Sequence, residues 1–340
     1  MGEKRKRLMI ASGIILVLLV VSAGLWTGQR WLAQPMRTQF GSPYPPMSTS
    51  IPVSSAAASP LLFGTNLSLY DGNDQFLTST STRSQLQQMH INIIRMPVRP
   101  GLSNVVELKA AQAIRSIGAY AVVSLRGAID SKALADDTQI IQDMNSVFGH
   151  TTVFYEYGNE ENLLGIDVNH FIASWNAVVP QLKRIALNGK FIGPVTSQYD
   201  QDYLAAFLRS ANPRPDEISW HEYTCEDSWA DALCIARIDN WTKHISNARQ
   251  AMMATIGTTL PIMITEWNYA PNAHNNDGKI NDSAFMTAWT TRALETLAAN
   301  HIFASMQYAC TNSVYAIIAA DSALTAQGQA MQIMYQRLIA

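Results

Sequence analysis

The chain has 340 residues, 48% of them hydrophobic and 15% charged, with a formal net charge of -2. These values exclude a disordered chain, which combines few apolar residues with high net charge, and they leave no global positive field to recruit nucleic acid. The length suits one large domain or two ordinary ones.

The chain begins with a basic run, KRKR at 4–7, followed by LMIASGIILVLLVVSAGLW at 8–26, which carries no charged residue. A run of that length can cross a bilayer as a helix, and basic residues before it keep the N-terminus cytoplasmic. The expectation is a cytoplasmic 1–7, a transmembrane or signal-anchor helix over 8–26, and a membrane-anchored, extracytoplasmic remainder. The alternative is a cleaved signal peptide with VSA at 21–23 as the small-residue site, which leaves the protein secreted. Residues 27–59 are rich in Pro, Ser, Thr and Ala without strand or helix periodicity, and read as a linker.

From residue 60 to 340 short β-rich runs alternate with longer amphipathic segments. Strands are predicted at 61–66 (LLFGTN), 91–97 (INIIRMP), 119–125 (AYAVVSL), 152–160 (TVFYEYGNE), 190–195 (KFIGPV), 217–223 (EISWHEY), 261–267 (PIMITEW) and 302–309 (IFASMQYA). Between them lie helical patterns. The one opening at Asn104, a predicted N-cap with Glu107 three residues on, puts Val106, Ala110, Ala113, Ile114 and Ile117 on one face and stops at Gly118. A second aligns Phe171, Trp175, Val178, Leu182 and Ile185. Strand–helix alternation on this scale predicts an α/β fold, a (β/α)8 TIM barrel preceded by the N-terminal helix. The runner-up is an open doubly wound sheet, weakened because no G-x-G-x-x-G follows the first strand.

The three cysteines are Cys225, Cys234 and Cys310. An exported chain permits a disulfide, and Cys225 with Cys234 would staple one loop. A zinc site from His221, Cys225 and Cys234 lacks a clear fourth ligand and any C-x-x-C spacing.

In a barrel, chemistry belongs at the C-terminal ends of the strands. There the apolar runs close on Arg95 (strand two), Asn159 and Glu160 (strand four), His221 and Tyr223 (strand six) and Glu266 (strand seven). Two carboxyls facing each other across a cleft are the minimal equipment for glycoside hydrolysis, one protonated to assist the leaving oxygen, the other ionised to attack. Within YEYGNEEN, 155–162, Glu156 lies inside the strand opposite Tyr155 and Tyr157 and is expected to serve the fold. Glu161 is expected to cap the next segment or meet solvent.

With GNE at 158–160, GP at 193–194, WHEY at 220–223 and TEW at 265–267 in this order, residues 60–340 resemble the clan A glycoside hydrolases, closest to the xylosidase and heparanase-like glucuronidase branches. The resemblance implies that Glu160 is the general acid/base and Glu266 the nucleophile. It implies that Asn159 binds the substrate's 2-hydroxyl, that Tyr223 donates a hydrogen bond to Glu266, and that His221 supports the acid/base side or a sugar hydroxyl. Arg95 would lie under the nucleophile and lower its pKa. Independently of the resemblance, Arg and Tyr supply the donors an ionised nucleophile needs, and Tyr155, Tyr157 and Trp267 are expected to give the acid a less polar setting. The tryptophan that clan members often carry at the end of strand eight is replaced by MQYACTN, so Tyr308 or Tyr315 is expected to form the sugar floor. Trp267 is the first choice among the tryptophans for a sugar platform, and Trp229 the second. The polar loop 269–283, with His274, Asn275, Asn276 and Asp277, is expected to line the cleft.

The resulting expectation is a retaining β-glycosidase acting on an extracellular oligo- or polysaccharide, with carbohydrate as partner, no nucleic acid, and neither metal nor organic cofactor. Its rivals are a non-catalytic carbohydrate-binding barrel and a metal-dependent hydrolase built on His221, Cys225 and Cys234.

Overall fold

The structure, a computed structural model, describes residues 58–339 apart from 98, 100, 131, 227 and 274–277. Eight parallel strands close on themselves in sequence order: β1 (Gly64–Asn66), β2 (Ile93–Met96), β3 (Tyr120–Leu125), β4 (Val153–Tyr157), β5 (Gly189–Thr196), β6 (Glu217–Tyr223), β7 (Ile262–Asn268) and β8 (Ala304–Gln307). Helices follow each strand: α1 (Gln75–Thr78) and α2 (Thr80–Gln88) after β1, α3 (Asn104–Ser116) after β2, α4 (Ala133–Phe148) after β3, and α5 (Val168–Ile185) after β4. Then come α6 (Gln201–Ser210) after β5, α7 (Asp231–Ala236) and α8 (Asp239–Ile256) after β6, α9 (Ser283–Ala299) after β7, and α10 (Ala326–Leu338) after β8. β8 pairs with β1, so no sheet edge is left and the open-sheet alternative is excluded.

The first strand is shorter than its apolar run. Pro60 opens a 3-10 turn over Pro60–Leu62, and the Ser59 hydroxyl accepts the Leu61 N–H at 3.2 Å, so the strand begins only at Gly64. Gly64 lets β1 approach both neighbours, since a Cβ there would stand 2.5 Å from Ile93 Cγ2 and 2.6 Å from the Ser305 carbonyl oxygen. On the outside, α3 starts one residue earlier than expected, with Ser103 as N-cap and Asn104 already helical.

Strand alternation sorts the side chains into two cores. Ile93, Val122, Phe154, Ile192, Met263, Ala304 and Met306 fill the lower barrel interior, whereas Tyr155, Tyr157, Trp220 and Trp267 belong to the larger core between sheet and helices. Above the apolar plug the interior turns polar: Arg95 from β2, Glu156 from β4 and Ser219 from β6 are all buried.

One irregularity decides the top of the barrel. β6 and β7 pair Trp220 with Ile264 and then His221 with Glu266, so Thr265 is an extra residue. Simple alternation from Ile262 and Ile264 would send Glu266 outward and Trp267 inward. The bulge reverses both, a common use of bulges beside functional sites.

The expectation of a membrane helix, a membrane partner and a membrane-anchored localisation is corrected. No helix among the described residues is long and apolar enough to cross a membrane, and the segment 8–26 lies outside them. The two helices of 18 residues, α5 and α8, are amphipathic: each buries one stripe on the barrel (Phe171, Trp175 and Leu182; Trp241, Ile245 and Met252) and carries charged residues elsewhere.

Candidate active site

The C-terminal mouth of the barrel holds a cleft of about 420 Å³, lined by Arg95, Asn159, Glu160, Glu266 and Tyr308 among others. Arg95 is its hub. Its Nε donates to Glu156 at 2.5 Å, its Nη1 to Asn66 Oδ1 at 3.1 Å and Glu266 Oε2 at 3.4 Å, and its Nη2 to Asn159 Oδ1 at 2.5 Å. Burial would lower the Arg95 pKa, but Glu156, Glu266 and Glu160 raise it, so it is a permanent cation. Two strand-borne glutamates, Glu156 on β4 and Glu266 on β7, are thus held near each other through one guanidinium.

The two glutamates of β4 and its loop differ in surroundings. Glu156 is fully buried and spends its second oxygen on the Ser219 hydroxyl at 2.9 Å. Glu160 stands at the cleft with 26% of its side chain exposed. An ionised Glu160 Oε1 accepts from His221 Nδ1, 2.7 Å away. Burial alone would raise the Glu160 pKa; the His221 ring and the Arg95 charge outweigh it and hold the carboxyl below the ordinary range. The less polar setting expected from Tyr155, Tyr157 and Trp267 is not what surrounds it, because all three face the helices.

Glu266 receives a hydrogen bond from the Tyr223 hydroxyl on Oε1 and the Arg95 contact on Oε2. Burial, then the neighbouring Glu266 carboxylate, pushes the Tyr223 phenol well up, so Tyr223 stays a neutral donor. One ligating atom each from Glu160, His221 and Glu266 lie within 4.8 Å of one another. This is close enough for two carboxyls to act on one sugar carbon, and also for three ligands to reach one metal ion. The other metal arrangement is ruled out: Cys225 and Cys234 form a disulfide, and their sulfurs are engaged with each other.

The remaining expected site residues divide. Asn159 is exposed at the cleft, and its Nδ2 has no partner among the described residues. Tyr308 lines the cleft. Tyr315 is buried and spends its hydroxyl on the Ala270 carbonyl at 2.7 Å. Trp267 is not brought to the cleft; it is fully buried against Trp241 and Trp289, its Nε1 donating to Ser305 at 3.2 Å. Trp229 is half-buried beneath Arg237, outside the set of residues lining the cleft. In the loop 269–283, positions 274–277 lie outside the described residues.

Sequence reasoning passed over Asn66, Ser124, Arg99 and Arg126, all in the cleft lining. Asn66 and Ser124 are polar residues at or near the ends of β1 and β3, and the strand-end criterion applied to the other strands would have found them. Of the two expectations for Glu161, capping the next segment or meeting solvent, the second is excluded: it is 2% exposed.

No protein-family model and no curated protein matches the chain. Solved structures do. Over 84% of this chain and 74% of theirs, a family 51 α-L-arabinofuranosidase from Bifidobacterium longum (13% identity, TM-score 0.64) and a family 51 arabinofuranosidase from Xanthomonas axonopodis pv. citri (15%, 0.61) are similar in fold. The protein N2152 from Neocallimastix frontalis is 22% identical over 74% of this chain with a TM-score of 0.54, and the chain spans only 61% of that protein's length. The common ground is the (β/α)8 barrel.

Proposed function

We propose that the chain is a retaining glycoside hydrolase that cleaves an oligo- or polysaccharide by double displacement between Glu266 and Glu160. The observation that carries this reading is that one oxygen of Glu160 and one of Glu266 lie within 4.8 Å of each other. Retaining enzymes hold theirs about 5–5.5 Å apart, inverting ones about 6.5–9.5 Å to admit a water.

In the first step Glu266 attacks the anomeric carbon while Glu160 gives a proton to the departing oxygen. Arg95 and Tyr223 each donate to one oxygen of Glu266 and aim it. In the second step the Glu160 carboxylate takes a proton from water, the water attacks the same carbon, and Glu266 leaves with the configuration restored. Asn159, fixed through its oxygen by Arg95, presents its amide nitrogen to a sugar hydroxyl. Glu156 is assigned to holding Arg95, since its oxygens are occupied beneath the cleft floor.

The test is hydrolysis of a panel of aryl β-xylosides, β-glucosides, β-glucuronides and α-L-arabinofuranosides, the last because two of the similar structures are arabinofuranosidases. Wild type is expected to cleave at least one with retention, read from the first-formed anomer by proton NMR, and Glu266→Ala to lose the activity. Unchanged turnover by Glu266→Ala sinks the nucleophile assignment. Sugar binding without turnover by wild type would favour a carbohydrate-binding barrel. The closeness of Glu160, His221 and Glu266 favours one further reading, metal-dependent hydrolysis. Activity abolished by a chelator and restored by a divalent ion would select it.

A further inference from the structure

Glu161 is built into the barrel mouth. Its Oε1 accepts the backbone N–H of Ile129 at 2.9 Å, and the Ala128 N–H also faces the carboxyl, both on the loop after β3. Two glycines make room for the carboxyl. A Cβ on Gly127 would stand 2.2 Å from Glu161 Oε1 and 2.4 Å from Gly158 Cα, and one on Gly158 would stand 2.9 Å from Glu161 Cδ. Both glycines have positive φ, +75° and +82°. The main-chain carbonyl of Glu161 accepts from Leu164 and Ile166, each at 3.0 Å, closing the turn that follows.

The neighbouring Glu160 has φ +51°, a left-handed conformation that side chains resist. Such a residue persists only where its surroundings over-determine it. The Glu160 N–H bond to the Val195 carbonyl, at 2.9 Å, holds one side of its peptide, and the Glu161 clamp holds the other.

We propose that Glu161 is a positioning residue: by gripping the 128–129 backbone it locks the Glu160 main chain and aims the Glu160 carboxyl at the leaving-group oxygen, without touching substrate itself. The inference rests on the reading of Glu160 as the acid/base. A general acid matters most for a poor leaving group and hardly at all for one that departs unaided. Misaiming Glu160 therefore has a signature that loss of stability lacks.

The experiment compares 2,4-dinitrophenyl and 4-methoxyphenyl glycosides of a sugar that wild type cleaves, using wild type, Glu160→Gln, Glu161→Ala and Glu161→Gln. Assays are run well below each variant's Tm, with near-UV circular dichroism confirming the fold. Glu161→Ala is expected to lower kcat/KM at least tenfold on the 4-methoxyphenyl substrate and less than threefold on the dinitrophenyl one. Glu161→Gln keeps an acceptor oxygen for the Ile129 N–H and is expected to restore wild-type behaviour to within threefold. Should Glu161→Ala fail to fold, Gly127→Ala, whose new methyl collides with the carboxyl, is expected to give the same leaving-group pattern. Equal losses on both substrates, or none, overturn the proposal. If Glu160→Gln shows the pattern and neither clamp variant does, the positioning role alone fails. If Glu160→Gln lacks it too, or wild type cleaves no glycoside, the glycosidase reading fails with it.

Discussion

His221 Nδ1 lies 2.7 Å from Glu160 Oε1, and this contact makes the carboxylate of Glu160 its favoured form. In the proposed double displacement Glu160 must nevertheless be protonated for the first chemical step. Activity is therefore expected to fall as pH rises through the Glu160 pKa, giving kcat/KM an alkaline limb on the acid side of neutrality. Replacing His221 by Gln weakens the interaction that lowers the pKa, so the limb should move to higher pH. A limb unmoved in His221→Gln, measured as kcat/KM against pH, would detach His221 from the acid.

Glu156 and Glu160 predict opposite phenotypes. Glu160→Gln leaves the interior intact and is expected to cut turnover of poor leaving groups by roughly 10²–10⁴-fold at unchanged Tm. Glu156→Ala strands the buried Arg95 cation, and breaking a buried pair costs about 3–5 kcal/mol. Chemical denaturation should show that loss directly. If instead Glu156→Gln is stable and inactive while Glu160→Gln is active, the β4 carboxyl that does the chemistry is Glu156.

Far from the cleft, Glu217 at the start of β6 has its pKa pushed up to about 7, first by burial and then by Asp216, against the pull of Lys190 and Lys183. A carboxyl raised in the folded state contributes its stability below the unfolded pKa and loses it as pH climbs through the folded one. Glu217→Gln should therefore gain in Tm over wild type between pH 5 and pH 8, by roughly 2–4 °C at the upper end. A Tm difference that stays constant with pH would contradict the burial argument.

The Cys225–Cys234 bridge closes a short loop between the end of β6 and α7, directly after Tyr223. A loop of that length is worth about 2–3 kcal/mol of chain entropy. The double Ser variant, and wild type under reductant, should lose that much in a guanidinium titration. Equal midpoints with and without reductant would mean that the bridge does not form in solution.

The barrel was legible because each strand and helix announces itself locally. The strand EISWHEY was placed at 217–223, where β6 runs, and the helix patterns over 104–118 and 168–189 contain α3 and α5, the second extending past the observed end at Ile185. Strand ends were enough to single out Glu160, His221, Tyr223 and Glu266, because in a closed parallel barrel all the C-terminal ends meet at one mouth. Facing was less secure. Trp267 looked like a sugar platform beside Glu266, but the extra residue Thr265 rotates Glu266 into the mouth and Trp267 out among Trp241 and Trp289. A bulge is a property of two paired strands, and one strand's pattern does not contain it.

By itself, then, the amino-acid sequence determined the alternation of elements, the apolar faces and the positions of the acids along the chain. All of these follow from local periodicity. Only the tertiary structure decided what each acid meets. Glu156, Glu160 and Glu161 fall within six residues. One pairs with Arg95 beneath the cleft, one is bonded to the buried His221, and one is clamped to the loop after β3. Those partners lie tens of residues away. Barrel closure brings them together, and those partners set where each carboxyl points.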